Sequence, residues 1–170
     1  GIGTNSLRKV TTGSCNVGVG SSVLQNGLTG SHNTAVGNQS QLSNNSGSNN
    51  TSVGACSLDS NTTASSNTAI GFCSLQANTS GTNNVAVGCG ALSSNTTASA
   101  NTAIGTCTLN TNTEANENTA VGFKALFANT SGDDNTAVGA YALDANTEGD
   151  FNVAVGMDAL SISTTASSNT

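Results

Sequence analysis

Apolar and polar positions alternate along this chain in one short pattern that returns every 17 residues. Val or Ile stands immediately before a glycine, Leu stands four places after it, and the intervals are filled by Asn, Thr, Ser, Ala and Gly. The glycines fall at Gly3, Gly20, Gly37, Gly54, Gly71, Gly88, Gly105, Gly122, Gly139 and Gly156. Four residues before them stand Asn16, Asn33, Asn50, Asn67, Asn84, Asn101, Asn118, Asn135 and Asn152, with Asn169 continuing the series. The apolar columns are Val36, Val53, Ile70, Val87, Ile104, Val121, Val138 and Val155, and Leu58, Leu75, Leu92, Leu109, Leu126 and Leu143, preceded by Leu7 and Leu24 and followed by Leu160. Gln41 interrupts the Leu column, and its neighbour Leu42 is expected to take the place. Fixed self-similarity of this kind is the signature of a repeat architecture.

A 17-residue unit is too short for a helical hairpin, and β-branched and small residues punctuated by Gly favour strands and turns. The unit therefore predicts an all-β parallel solenoid, one coil per repeat. Equivalent residues would stack about 4.8 Å apart, and ten coils would make a rod of roughly 48 Å. Within Asn-Thr-Ala-Val-Gly, Thr and Val share one face and Ala takes the other. The Thr/Val and Val/Ile columns, with Leu, are expected to line the coil interior. Ala35, Ala69, Ala86, Ala103, Ala120, Ala137 and Ala154, with Gly18 and Ser52, form a column never larger than Ala or Ser. A second backbone packing closely there, at a subunit interface, would explain the small size. The glycine supplies a positive φ or a tight corner, and the Asn columns are expected to form ladders of stacked amides.

Residues 1–170 read as a single repeat array, with residues 1–32 the more degenerate coils. Asn61–Gly71 and Asn95–Gly105 are nearly identical, so the array has grown by duplication of coil pairs. The register at both ends predicts an internal segment of a longer chain.

Composition narrows the functions. The chain has 20 Gly, no Pro, 7% charged residues and a formal net charge of −6. Eight of the acids, Glu114, Glu117, Asp133, Asp134, Asp144, Glu148, Asp150 and Asp158, lie in the C-terminal third, whereas the cations are only Arg8, Lys9 and Lys124. That balance makes nucleic acid an unsuitable partner. No apolar run reaches the roughly 18 residues of a membrane span. Five cysteines without a close Cys-x-x-Cys pair argue against a disulfide framework or a zinc site, and mostly free thiols are expected.

Candidate chemistry is sparse. His32 is the sole histidine and lies in a polar turn without a patterned nucleophile, so a solvated residue is expected and no catalytic residue is assigned. Stacked carboxylates such as Asp133 and Asp150 could in principle meet Ca²⁺, but a solvated acidic stripe is the simpler expectation, with no metal or cofactor. Cys56, Cys73 and Cys107 share a column beside Cys89, and stacked parallel neighbours have poor geometry for a disulfide. Asn44, Asn61, Asn78, Asn95 and Asn129 head glycosylation sequons that arise automatically from the repeat. Phe72, Phe123, Phe127, Tyr141 and Phe151 are expected as packing residues, with carbohydrate stacking as a second reading.

Asn-Thr-Ala-Val-Gly, followed by Ala-Leu and Asn-Thr-x-Gly, resembles the head repeats of trimeric autotransporter adhesins and related tail-fibre proteins of phages and large viruses. The resemblance spans essentially the whole chain. It implies a left-handed β-roll and a homotrimeric rod at a virion or extracellular cell surface, attaching through an unidentified host-surface receptor such as a glycan. The family's usual repeat is shorter, and the extra residues here would lengthen the loop at Asn78–Asn83. The cysteines favour a fibre assembled inside a cell, as a virus fibre is. The expected function is a structural and adhesive fibre segment. The alternative is an ice-binding solenoid, for which Thr62, Thr79, Thr96, Thr113, Thr130 and Thr147 offer a ladder, whereas the ladder of Thr34, Thr51, Thr68, Thr102, Thr119 and Thr136 is expected to face inward or toward a partner. An enzymatic solenoid would need an acidic or His cluster in a groove, and the pattern offers none.

Overall fold

In the computed structural model, which describes residues 1–26 and 28–170, each repeat makes one coil of a β-solenoid. Among the described residues the only regular elements are nine three-residue strands: β1 (Val17–Val19), β2 (Thr34–Val36), β3 (Thr51–Val53), β4 (Thr68–Ile70), β5 (Val85–Val87), β6 (Thr102–Ile104), β7 (Thr119–Val121), β8 (Thr136–Val138) and β9 (Val153–Val155). They form one parallel sheet in sequence order. The register never slips: Thr34 pairs with Thr51, Ala35 with Ser52 and Val36 with Val53, and each later pair repeats this offset. An isolated bridge from Ile2 to Val19 extends the pairing toward the N-terminus. No described residue is helical, so no helix is long and apolar enough to cross a membrane.

The strands are short because the ladder continues around the coil outside them. Backbone N–H groups donate both backward, as Cys73 to Ala55 (3.0 Å), and forward, as Leu75 to Ala91 (3.0 Å) and Thr79 to Thr96 (2.9 Å). Stacked coils thereby satisfy polar backbone that an isolated coil would leave to water. The strand-end glycine permits this stacking: Gly71 has φ +134°, and a Cβ there would lie 2.5 Å from the carbonyl oxygen of Gly88 in the next coil. The other corners use left-handed residues that are not glycine. In the coil following Gly71 these are Cys73 (φ 54°), Leu75 (φ 48°) and Asn83 (φ 60°), and equivalent positions recur along the chain.

The Leu column fills the interior; Leu24, Leu58, Leu75, Leu92, Leu109, Leu126 and Leu143 are fully buried. The long core cluster runs from Leu58 to Ala154, and a second, smaller one holds Val23, Leu24, Leu28 and Ala35. Leu42 does not replace Gln41. Gln41 itself occupies the Leu position with φ 50° and is fully buried, while Leu42 is half-buried beside it.

The segment Asn78–Asn83 is no projecting loop either. Asn78 and Gly81 are buried and their turn is held by a bond from the Asn78 Nδ2 to the Gly81 carbonyl (2.9 Å), so the additional residues enlarge the coil's perimeter.

Candidate functional site, the outward strand face

The structure inverts the expected faces of the strand. Ala35, Ala69, Ala86, Ala103, Ala120 and Ala137 are fully buried, and Ala154 is nearly so, inside the chain's own coil. The column proposed as a subunit interface is therefore interior. Its small size reflects the narrowness of the coil, in which Leu from one side and two columns of Asn already occupy the space. Packing between adjacent interior columns is visible where Gly18 replaces Ala: a Cβ there would lie 2.7 Å from the Ser6 Oγ and 3.2 Å from the Leu7 Cγ.

Because side chains alternate along a strand, the two columns flanking Ala must point out. Val36, Val87 and Val121 are half-buried, and Val53, Ile70, Ile104, Val138 and Val155 are exposed, with Ile104 at 40% and Val155 at 70%. These residues, expected in the core, lie on the surface, as do Thr34, Thr51, Thr68, Thr102, Thr119 and Thr136 and the valines Val17, Val85 and Val153 in the neighbouring column. The result is a ribbon two side chains wide and nine strands long, lined by Thr, Val and Ile. With strands about 4.8 Å apart it runs for roughly 38 Å. It carries no ionisable side chain. Among the described residues the hydroxyls of that Thr column have no side-chain partner within the chain.

The second Thr ladder differs. Thr62 donates its Oγ1 hydrogen to the Thr79 carbonyl (3.1 Å), Thr79 to Thr96 (3.0 Å) and Thr130 to Thr147 (3.0 Å), so its donors are used in stitching coil to coil.

Two buried Asn ladders hold the ribbon in place. In the first, Asn101 Oδ1 accepts the Asn118 N–H (3.0 Å) and Asn101 Nδ2 donates to the Ala115 carbonyl (2.8 Å), clamping each strand's entry to the following coil. Asn33, Asn50, Asn67, Asn84, Asn118, Asn135 and Asn152 are buried in the same way, while Asn16, near the N-terminal end, is half-buried. In the second, Asn95 Nδ2 donates to Asn78 Oδ1 (2.9 Å) and Asn112 Nδ2 to Asn95 Oδ1 (3.1 Å). This ladder contains Asn44, Asn61, Asn78, Asn95 and Asn129. The sequon asparagines are thus fully buried and hydrogen-bonded in the fold, unsuited to carry a glycan. The sequence shows this second column as well, an Asn seven places after each glycine from Gly37 to Gly139, where the spacing marks it only as a sequon column.

The remaining candidates do not converge. His32 is exposed. Asp133 Oδ1 accepts the Asn116 N–H (2.6 Å) and Asp150 Oδ1 the Asp133 N–H (2.8 Å), so these carboxylates cap backbone donors. Among the described residues no three His, Cys, Asp or Glu side chains are grouped to hold a metal ion. All five cysteines are free; burial first, and then its neighbour Cys56, pushes the Cys73 thiol pKa up. Burial likewise raises the carboxyl of Asp59, whose Oδ1 is buried without a hydrogen bond. Phe123 and Tyr141 meet edge to face at 5.3 Å, and the Lys124 ammonium lies over Phe123 and Phe127 at 5.6 and 5.2 Å, a packed surface cluster.

Comparison with known proteins adds no relative: no family model, curated protein or solved structure matches the chain.

Proposed function

We propose that the chain is a segment of a self-associating structural fibre, a homotrimeric rod that serves attachment at a virion or extracellular cell surface. The observation that carries this reading is the outward ribbon of Thr, Val and Ile. An uncharged, partly apolar strip roughly 38 Å long is the kind of surface that soluble monomers rarely leave uncovered. The repeat's straight register makes the strip linear, so copies of the chain can lie side by side along its full length. Repetition then multiplies weak contacts with a host receptor, glycans among them, through avidity. The resemblance of the repeat to adhesin heads and tail fibres points the same way, and in this reading the chain is not an enzyme and needs no cofactor.

The test is the native mass of the particle by light scattering, with its shape by electron microscopy. Three chains in a thin rod, falling to one chain in an Ile70→Lys/Ile104→Lys variant, is the expected result. A monomer at high micromolar concentration in the parent chain would refute it.

One observation favours a second reading. The Thr34 column faces outward with unused hydroxyls, beside Val or Ile two residues along, and an outward, regularly spaced Thr array is what an ice-binding reading starts from, with Thr-x-Thr its preferred pairing. The same ribbon cannot be buried between chains and bound to ice at once. Thermal hysteresis from a monomer, abolished by Thr102→Lys, would select the ice-binding solenoid.

A further inference from the structure

A chain of near-identical coils has a problem that an ordinary domain lacks: a coil can stack on the wrong neighbour and still match. If β4 lay on β2, with the coil between them looped out, Leu75 would replace Leu58, Asn67 would replace Asn50 and Ile70 would replace Val53. Nearly every column would be satisfied. One coil breaks the equivalence.

At this coil the interior is polar. Gln41 stands in the Leu column and Ser52 in the Ala column of the following strand, and both are fully buried. Gln41 Nε2 donates to the Ser52 Oγ (2.9 Å) and to the Thr34 carbonyl (3.2 Å), while Gln41 Oε1 accepts from Asn44 Nδ2 (3.2 Å). Ser40, also buried, shares hydrogen bonds with the Ser52 and Ser57 hydroxyls. The network separates the two apolar clusters of the core. Two departures from the repeat, eleven residues apart in sequence, therefore satisfy one another across a single coil-to-coil junction.

We infer that the Gln41–Ser52 network is the register mark of the solenoid, a buried polar pair that accepts only the coil beginning at Asn50 as its successor. Any slipped pairing puts Ala69 or a later alanine opposite Gln41 and Ser40. It leaves the Gln41 amide N–H that Ser52 accepts buried without its partner, a cost that an apolar column does not impose. A single buried polar residue sets register in coiled coils for the same reason. The sequence between Asn61 and Gly105, with its near-duplicate coil pairs, has no such pair of its own and takes its register from this junction.

The test measures coil count between two fixed points after refolding from denaturant. Spin labels are placed at Ser21→Cys and Phe123→Cys, both exposed, in the full chain with its native cysteines changed to Ser. Six coils separate the labels, or about 29 Å, and loss of one coil from the stack shortens this by about 5 Å. The parent is expected to give one distance. The Ser40→Ala/Gln41→Leu/Ser52→Ala variant, which restores the repeat's own interior residues, is expected to give a second population about 5 Å shorter. Transplanting the pair as Leu92→Gln/Ala103→Ser into that variant, where Asn95 stands as Asn44 does, is expected to return the single distance. One unchanged distance in the apolar variant, or a second population that persists after transplantation, would overturn the inference. So would failure of the apolar variant to fold, since the network would then be needed for stability itself.

Discussion

Replacing Asn101 by Ala tests whether the buried Asn ladder, more than the apolar column, holds one coil to the next. Asn101 spans the junction with two bonds: its Oδ1 accepts the Asn118 N–H and its Nδ2 donates to the Ala115 carbonyl. The Ala115 oxygen keeps a second donor in Asn112 (2.9 Å), so truncation does not orphan it. The Asn118 N–H donates to the Asn101 Oδ1 and sits in a fully buried residue. The loss is therefore one net hydrogen bond, about 1 kcal/mol, plus one stranded donor, about 1–3 kcal/mol. A total of about 2–4 kcal/mol is expected, a large share of the stability of an ordinary domain. Guanidinium unfolding followed by circular dichroism, compared with Thr97→Ala on the same coil, supplies the measure. Thr97 is exposed and its hydroxyl makes no bond within the chain, so its truncation should stay within about 0.5 kcal/mol of the parent. If Asn101→Ala proved as mild as Thr97→Ala, the ladder would be decorative and the argument that buried amides hold the stack would fail.

Three further outcomes follow from the same geometry. Asp59 has its folded pKa raised above the ordinary 3.8 by burial, so its contribution to stability is full below that value and is lost as pH rises through the folded pKa. Asp59→Asn should accordingly raise the melting temperature at pH 7 and leave it little changed at pH 3; an equal shift at both pH values would remove the assignment. The second Asn ladder stops where Asn146 Oδ1 and Ser163 Oγ are both buried without partners, so Ser163→Asn should extend it and stabilise by about 1 kcal/mol in denaturant unfolding. Mass-spectrometric mapping of iodoacetamide alkylation at pH 7.5 should find the exposed Cys15 and Cys89 modified first and Cys73 last, because burial and its thiol neighbours disfavour the Cys73 thiolate; early labelling of Cys73 would contradict that environment.

The repeat made the solenoid legible because every column from Gly20 to Gly156 is visible by eye, and the inferred parallel register follows directly from its spacing. It did not say which side of Thr-Ala-Val is inside. The habit of placing the larger apolar residue in the core misleads in a coil this narrow, where Leu and two amide columns leave room only for Ala. The sequence held two clues. Ser52 departs from Ala where Gln41 departs from Leu, so the Ala column varies together with a residue that must lie in the interior. The Thr/Val exchange at Val17, Val85 and Val153 is also what a surface tolerates: similar shape, with the hydroxyl optional. Side-chain satisfaction in the second Asn ladder was not readable, because an Asn in a polar turn and an Asn donating into a coil interior have the same letter and the same neighbours.

The left-handed corners carry a consequence for how such a chain comes into being. Cys73, Leu75 and Asn83 hold a conformation that costs an L-residue roughly 1–2 kcal/mol at each site, and every coil repeats that pattern. No coil on its own gathers enough contacts to hold three such bends. An exposed end of the stack, however, presents a ready row of carbonyls and amides in the required geometry, so the next seventeen residues are shaped by the surface they land on. Growth of this kind is templated, as at the face of a crystal: the first pair of coils is slow to form, and each coil after it is a casting of the one before.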